Sequence, residues 1–253
     1  MTRTLEGTVA LVTGASSGIG RATALELARR GAAVSLVGRR EDRLIELASE
    51  IAGVGGRSLV LAADITSAQA AAQAVERTVE GLGRLDTLVN NAGLMLLGPA
   101  AGATVGDWQR MIDVNLAGLM YCTHAAVPHL VKAAADGPRQ VADIVNISSV
   151  AGRVAYGMSA AYCATKFGVG AFSEALRQEL ARLHVRVSAV EPGAVDTELR
   201  THNPEEIQAQ LDARFGDMER LQGDDVADAV AYIVTRARHV AIGELLVRPT
   251  EQV

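Results

Sequence analysis

Short apolar runs alternate along the chain with longer stretches whose apolar residues recur every three or four positions. The short runs are TVALVT (8–13), AVSLVG (33–38), SLVLAAD (58–64), LDTLVN (85–90), VADIVNIS (141–148), VRVSAVEPG (185–193) and GELLVRP (243–249). Most are Val/Leu/Ile-rich at successive positions, as strands covered on both faces require. GRATALELARRG (20–31) follows the first run as a helix closed by a glycine. EDRLIELASEIAGVGG (41–56) is a second helix, opening with acids and closing with glycines. The alternation predicts a doubly wound α/β fold with about seven parallel strands and helices on both faces. AAADGPRQ (133–140) reads as a surface turn, and the polar stretch 200–224 lacks strand character. It predicts a substrate loop or lid over about 194–222, with a helix near PEEIQAQLDARF. No composition shift or repeat divides the chain, so residues 1–253 are expected to form a single domain.

Composition narrows the class. Hydrophobic residues make up 49% of the 253 and aromatics only 3%, so the core must be built from Ala, Val, Leu and Ile. A net charge of −5 without a basic stripe argues against a nucleic-acid partner. No apolar run reaches the roughly 18–20 residues that span a bilayer, so no membrane role is expected. The start, MTRTLEGTVALVTG, lacks the apolar core and cleavage site of a secretory signal. Cys122 and Cys163 form no disulfide framework, and free thiols in a reducing cytoplasm are the simpler reading. No His, Cys or acid cluster has metal-ligand spacing, so no metal site is expected.

TGASSGIG (13–20) stands between the first strand and the first helix. Its glycines, Gly14, Gly18 and Gly20, are spaced G-x3-G-x-G, which is not the G-x-G-x-x-G fingerprint. The physics of the turn still favours a pyrophosphate. Glycines permit close backbone approach, and the following helix offers free N–H groups and the positive end of its dipole. Ser16 and Ser17 add hydroxyl donors. The second strand ends in VGRRED. Gly38 occupies the place where an acid would accept from an adenosine 2′-hydroxyl. Arg39 and Arg40 follow, and a guanidinium binds a 2′-phosphate that a carboxylate would repel. NADP(H) is favoured; Glu41 and Asp42, swinging back to the ribose, keep NAD(H) possible.

AYCATKFG (161–168) sets Tyr162 and Lys166 four residues apart, on one helical face about 6 Å apart at Cβ. A phenol is a poor base at neutral pH, and a nearby cation favours its ionised form. The pair suits proton exchange with an alcohol or carbonyl oxygen.

Taken together, TGASSGIG, AAD (62–64), NNAG (90–93), DVNLAG (113–118), IVNISSVAG (144–152), YCATK (162–166) and EPGAVDT (191–197) resemble the short-chain dehydrogenase/reductase family over nearly the whole chain. The details LMLLGP, KFGVGAFSEALRQEL and VRPTEQV look most like a bacterial branch that includes clavulanic acid dehydrogenase. The resemblance implies a Rossmann-type fold and an oxidoreductase active on carbonyl or alcohol groups. Tyr162 would be the acid/base, Lys166 would lower its pKa and hold the nicotinamide ribose, and Ser149 (rather than Ser148) would bond the reacting oxygen. Asn115 would seat a water that links Lys166 to solvent. Gly14, Ser16, Ser17, Gly18, Ile19 and Gly20 would cradle the phosphates, with Gly38, Arg39 and Arg40 at the adenosine ribose. Asp64 and Ile65 would meet the adenine; Asn91, Ala92 and Gly93 would line the ribose and support the sheet. Pro192, Gly193, Val195 and Thr197 would position the nicotinamide.

The expected substrate is a small carbonyl or alcohol compound at the carboxyl ends of the strands. Its walls are expected at Leu94–Leu97, Arg153–Met158 and 194–222, with Met95 and Met158 giving adaptable shape and Arg153 a partner for a substrate carboxylate. Helices near 106–134 and 160–183 carry small and apolar residues on more than one face. By family resemblance they imply a homotetramer or homodimer.

Overall fold

Seven parallel strands form one sheet in the order β3-β2-β1-β4-β5-β6-β7. The computed structural model describes residues 4–252, save the side chains at 214 and 215; the ends of the 1–253 domain expectation lie outside them. The strands are β1 (Val9–Thr13), β2 (Ala33–Gly38), β3 (Arg57–Ala62), β4 (Thr87–Asn90), β5 (Ala142–Ile147), β6 (Val185–Pro192) and β7 (Glu244–Val247). Six of the seven apolar runs read from the sequence contain a strand whole, and β3 starts one residue before its run, at Arg57. β1, β4, β5 and β6 are buried at every position, as the centre of a doubly covered sheet should be. β3 and β7, at the two edges, carry exposed residues.

Two apolar layers enclose the sheet. On one face, α1 (Gly18–Arg29), α2 (Glu41–Gly53) and α8 (Gly223–Val234) pack through Leu25, Leu27, Leu44, Leu47, Val230 and Ile233. The other face is covered by α3 (Ala68–Leu82) and α5 (Gly118–Asp136), which bring Ala71, Val75, Cys122, Ala126 and Leu130 against Leu11, Leu88 and Ile144. α6 (Ala160–Leu180) packs alongside β6. α4 (Val105–Ile112) is capped by Thr104 and runs into α5 through one wide π-type turn, Asp113–Ala117. The helix expected near 204–215 is α7 (Glu205–Phe215).

The surface turn expected at 133–140 begins later than expected. α5 continues through Asp136, because Ala133 and Ala134 are buried in the core, and the chain turns only at Gly137. On β5, Asp143 is fully buried and accepts from Arg139 Nη1 at 2.9 Å and from Arg186 Nε at 2.7 Å. Arg186 also donates to the carbonyls of Val234 and Val240, fastening the end of α8 to β6. Asp143→Ala would leave two arginines without their carboxylate. It should lower the unfolding free energy by about 3–5 kcal/mol in urea titration. Arg43→Ala, which breaks an exposed pair with Glu46, should cost about 1 kcal/mol or less.

Candidate active site

The carboxyl ends of the strands open into a cavity of 1130 Å³. It runs from the glycine turn past the ends of β2 and β3 to Ser149 and Tyr162, and on beneath the 194–220 segment. At its first wall, Gly14 has φ +65°, and an added Cβ would lie 2.8 Å from Ala92 Cα. Gly18 has φ +52° with its Cβ position 3.0 Å from Thr197 Cγ2. Both positions therefore need glycine for conformation as well as space. Ser17 stands at the N-cap of α1 without capping it, so the first-turn N–H groups face the cavity mouth without a side-chain partner. Gly20 does not line the cavity; it lets the turn close on Asn91 and the Gly14 carbonyl.

Several predicted cofactor residues reach the same wall. Asn91 donates to the carbonyls of Thr13 (2.9 Å) and Gly14 (3.3 Å), while Thr13 Oγ1 accepts from the amides of Asn91 and Ala92. These bonds hold the β4 end against the β1 turn. Asp64 lines the cavity and accepts from the Thr66 amide and hydroxyl at 3.0 and 2.8 Å. Ile65, Gly93, Pro192, Gly193, Val195 and Thr197 line it as well. Gly38 and Arg39 do so beside Arg40, whose guanidinium donates to Ser16 Oγ (3.1 Å), Ser17 Oγ (2.8 Å) and Glu198 Oε2 (2.8 Å). A Cβ at Gly38 would make only ordinary contacts, the nearest 3.6 Å away. Packing does not impose that glycine; it leaves open the space beside Ser16 that a side chain would fill. A positive-φ glycine turn, an uncapped helix start and guanidinium groups suit a dinucleotide carrying phosphates.

The second wall carries the chemistry. Tyr162 and Lys166 are both buried on α6. Ser149 caps the short turn Val150–Gly152, and its Oγ accepts from the Ala151 amide at 3.1 Å. The Ser149 side chain also hydrogen-bonds Tyr162. Ser148 turns inward instead and donates to the Lys166 carbonyl at 3.3 Å, so Ser149 is the serine beside the phenol. Burial pushes the Tyr162 phenol up to about 12, with the Ser149 bond opposing it. The phenol is therefore the resting form in the protein on its own. Lys166 Nζ lies over the ring, 5.8 Å from its centroid, and donates to the Ile147 carbonyl at 2.9 Å. Burial lowers Lys166 to about 8. A neutral phenol in a dry pocket is a proton donor, the form that reduction of a carbonyl needs.

Besides Gly20, three of the expected site residues lie outside the cavity lining. Asn115, in the π-type turn, accepts from the Leu94 amide at 2.7 Å and donates to the Leu94 carbonyl and Thr165 Oγ1. Its amide is thus occupied in clamping the 94–97 wall to α6, and it does not line the cavity. Arg153 is absent from the lining; it pairs with Glu191 on β6 and Glu244 on β7. Through those two carboxylates it ties the Ser149 turn to the sheet edge. Met158 also lies outside the lining, 40% exposed at φ 64°. Met95 does line it. Tyr156 lines the wall expected at 153–158, whereas sequence reasoning missed Ser159 beside it, Gln252, which accepts from the Ala194 amide, and the anchoring part of Asn203. Buried Asn203 donates to the Met95 carbonyl and accepts from the Leu97 amide, so it pins the 194–222 segment over that wall. No local pattern marks it; its contacts cross more than a hundred residues.

The chain belongs to the short chain dehydrogenase family, whose model matches residues 8–208. It is 41% identical over 246 residues to sulfoacetaldehyde reductase 2 of Chromohalobacter salexigens, covering 96% of this chain and 95% of that protein. A closed form of serine dehydrogenase complexed with NADP+ superposes with a TM-score of 0.88 at 34% identity, over 97% of this chain and 96% of that one. A 3-ketoacyl-(acyl-carrier-protein) reductase from Brucella melitensis complexed with NADH gives 0.86 at 32% identity, over 98% and 100%.

The buried lysine has a measurable signature. The folded chain releases the Lys166 proton near pH 8, the unfolded chain near 10.5. Below pH 8 the burial penalty is fully present. Between the two values the unfolded state binds more protons, so stability rises with pH. In urea titrations from pH 7.5 to 10, the wild type should gain about 2–3 kcal/mol relative to Lys166→Met. A difference that stays flat with pH would mean that the ammonium is not buried.

Proposed function

We propose that the chain is an NADP(H)-dependent oxidoreductase that transfers hydride between the nicotinamide and a carbonyl or alcohol carbon, reducing a small aldehyde or ketone. The observation that carries this reading is the buried Tyr162, paired with half-buried Ser149 and beside buried Lys166, on the same cavity as the glycine turn and Arg40. When bound, the nicotinamide supplies the hydride. The protein's own part is to hold and deliver a proton. Tyr162 donates it to the substrate oxygen as negative charge develops there, and Ser149 polarises that oxygen. Lys166, close beneath the ring, stabilises the phenolate that Tyr162 becomes. Gly14, Ser16, Ser17, Gly18 and Ile19 would hold the pyrophosphate, and Arg39 and Arg40 a 2′-phosphate. Asp64 and Ile65 would take the adenine.

The substrate wall is mainly apolar, formed by Leu94, Met95, Leu97, Ala151 and Tyr156. The relative named sulfoacetaldehyde reductase supports a small aldehyde; clavaldehyde is a second candidate from the sequence resemblance. The neighbour bound to NADH keeps NAD(H) as the alternative cofactor. Exposed Val105, Trp108, Ile112, Tyr121 and Phe167 on α4, α5 and α6 support a homotetramer, or a homodimer, built on those helices.

Following NADPH absorbance against a panel of small aldehydes and ketones, sulfoacetaldehyde among them, tests the reaction. Tyr162→Phe should lower kcat about 10²–10⁴-fold while leaving cofactor affinity largely intact. Turnover near the wild-type rate in that variant would exclude Tyr162 as the acid. Replacing Arg39 and Arg40 together with alanine should raise KM for NADPH at least tenfold and KM for NADH far less. Equal effects on both would return the preference to NAD(H).

A further inference from the structure

Glu198 opens the short turn Glu198–His202, which leads from the nicotinamide end of the cavity toward α7. Its carboxylate reaches back to the far side of the cavity and accepts from Arg40 Nη1 at 2.8 Å. The same guanidinium spans Ser16 and Ser17 through Nη2. Arg40 therefore joins three pieces of chain: the glycine turn, the end of β2 and the start of the 198–215 segment. Hydrogen bonding with Ser17 and the charge of Arg43 also favour the ionised carboxylate, and Glu198 is held below the usual carboxylate range, with Arg40 the chief cause.

We propose that Glu198 is a specificity-determining residue that competes with a cofactor 2′-phosphate for Arg40. The inference rests on the NADP(H) reading above and goes beyond it. A guanidinium binds a phosphate best through two parallel N–H bonds, and here the carboxylate takes Nη1 while Ser16 and Ser17 take Nη2. A phosphate at the end of β2 must share Arg40 with a fixed negative charge or displace it. Repulsion between the two anions falls on the 2′-phosphate alone; a cofactor with a free 2′-hydroxyl escapes most of it. Glu198 therefore narrows the advantage that Arg39 and Arg40 give to NADP(H). Phosphate binding also loosens a tie between the glycine turn and the segment over the substrate wall. Both partners are about half exposed, at 44% and 48% for the side chains, so solvent screens the effect and keeps it modest.

The test uses fragments that carry the adenosine end without the nicotinamide: 2′,5′-ADP and 5′-AMP, titrated calorimetrically into the wild type, Glu198→Gln and Glu198→Ala at low and at 0.5 M salt. Both variants should bind 2′,5′-ADP about two- to fivefold more tightly than the wild type at low salt. Their affinity for 5′-AMP should change less than that, and high salt should shrink the gain. Unchanged or weaker 2′,5′-ADP binding in both variants would overturn the competition. If the wild type itself fails to prefer 2′,5′-ADP over 5′-AMP, the NADP(H) reading fails first, and the competition falls with it. A twofold or greater tightening for 5′-AMP equal to that for 2′,5′-ADP would also overturn it, because the effect would then not belong to the phosphate.

Discussion

The site depends on keeping a phenol and an ammonium buried side by side on one helix. Burial disfavours the charge on each: it pushes the Tyr162 phenol up and the Lys166 ammonium down. Neither shift is tolerable unless the polar atoms find partners. Lys166 finds the Ile147 carbonyl at the end of β5, and Tyr162 finds Ser149, two residues further along the same chain. The β5 end thus serves both groups, and the placement of α6 against it sets the chemistry.

Buried amides and hydroxyls hold that placement. Asn90 on β4 donates to Asn146 on β5, and Asn146 donates to Ser173 on α6, at 2.9 and 2.8 Å. Asn115 and Thr165 join the π-type turn to the same helix. Such a chain of buried polar bonds, in which Asn90 Oδ1 is left without a partner, admits few alternative packings, which an alanine- and valine-rich core would otherwise permit. On the outer side, Arg153 closes the Ser149 turn onto Glu191 and Glu244. The 194–222 segment is attached by Asn203 to the 94–97 wall, by Glu198 to Arg40 and by the Ala194 amide to Gln252.

The strands were legible because a doubly covered parallel sheet leaves uninterrupted apolar runs, and the glycine turn because its spacing falls at a strand–helix junction. Ser149, Tyr162 and Lys166 were legible as a set. The geometry adds why Ser149 and not Ser148: the Ser148 hydroxyl is spent on the Lys166 carbonyl, and Ser149 is the one beside the phenol. What was not legible depends on meetings between distant segments. Arg153 carries no local sign that Glu191 and Glu244 flank it, at separations of 38 and 91 residues. Asn115 sits in a recognisable motif, yet its bonds are set by where the 94–97 wall falls. The Gly–Pro pair near 137 suggested an early turn, and two buried alanines carried the helix past it. The pairing of Tyr162 with Lys166 was legible from their spacing, but not that burial would dominate the phenol and push it up to about 12.

The most direct measurement is the fate of a label. NADPH carrying deuterium at the transferred position of C4 is incubated with the protein and a small aldehyde that it turns over, and the alcohol is examined by NMR. The proposed reaction places one deuterium on the former carbonyl carbon and takes the hydroxyl proton from solvent through Tyr162. An alcohol formed without deuterium at that carbon, or label appearing only in water, would contradict it.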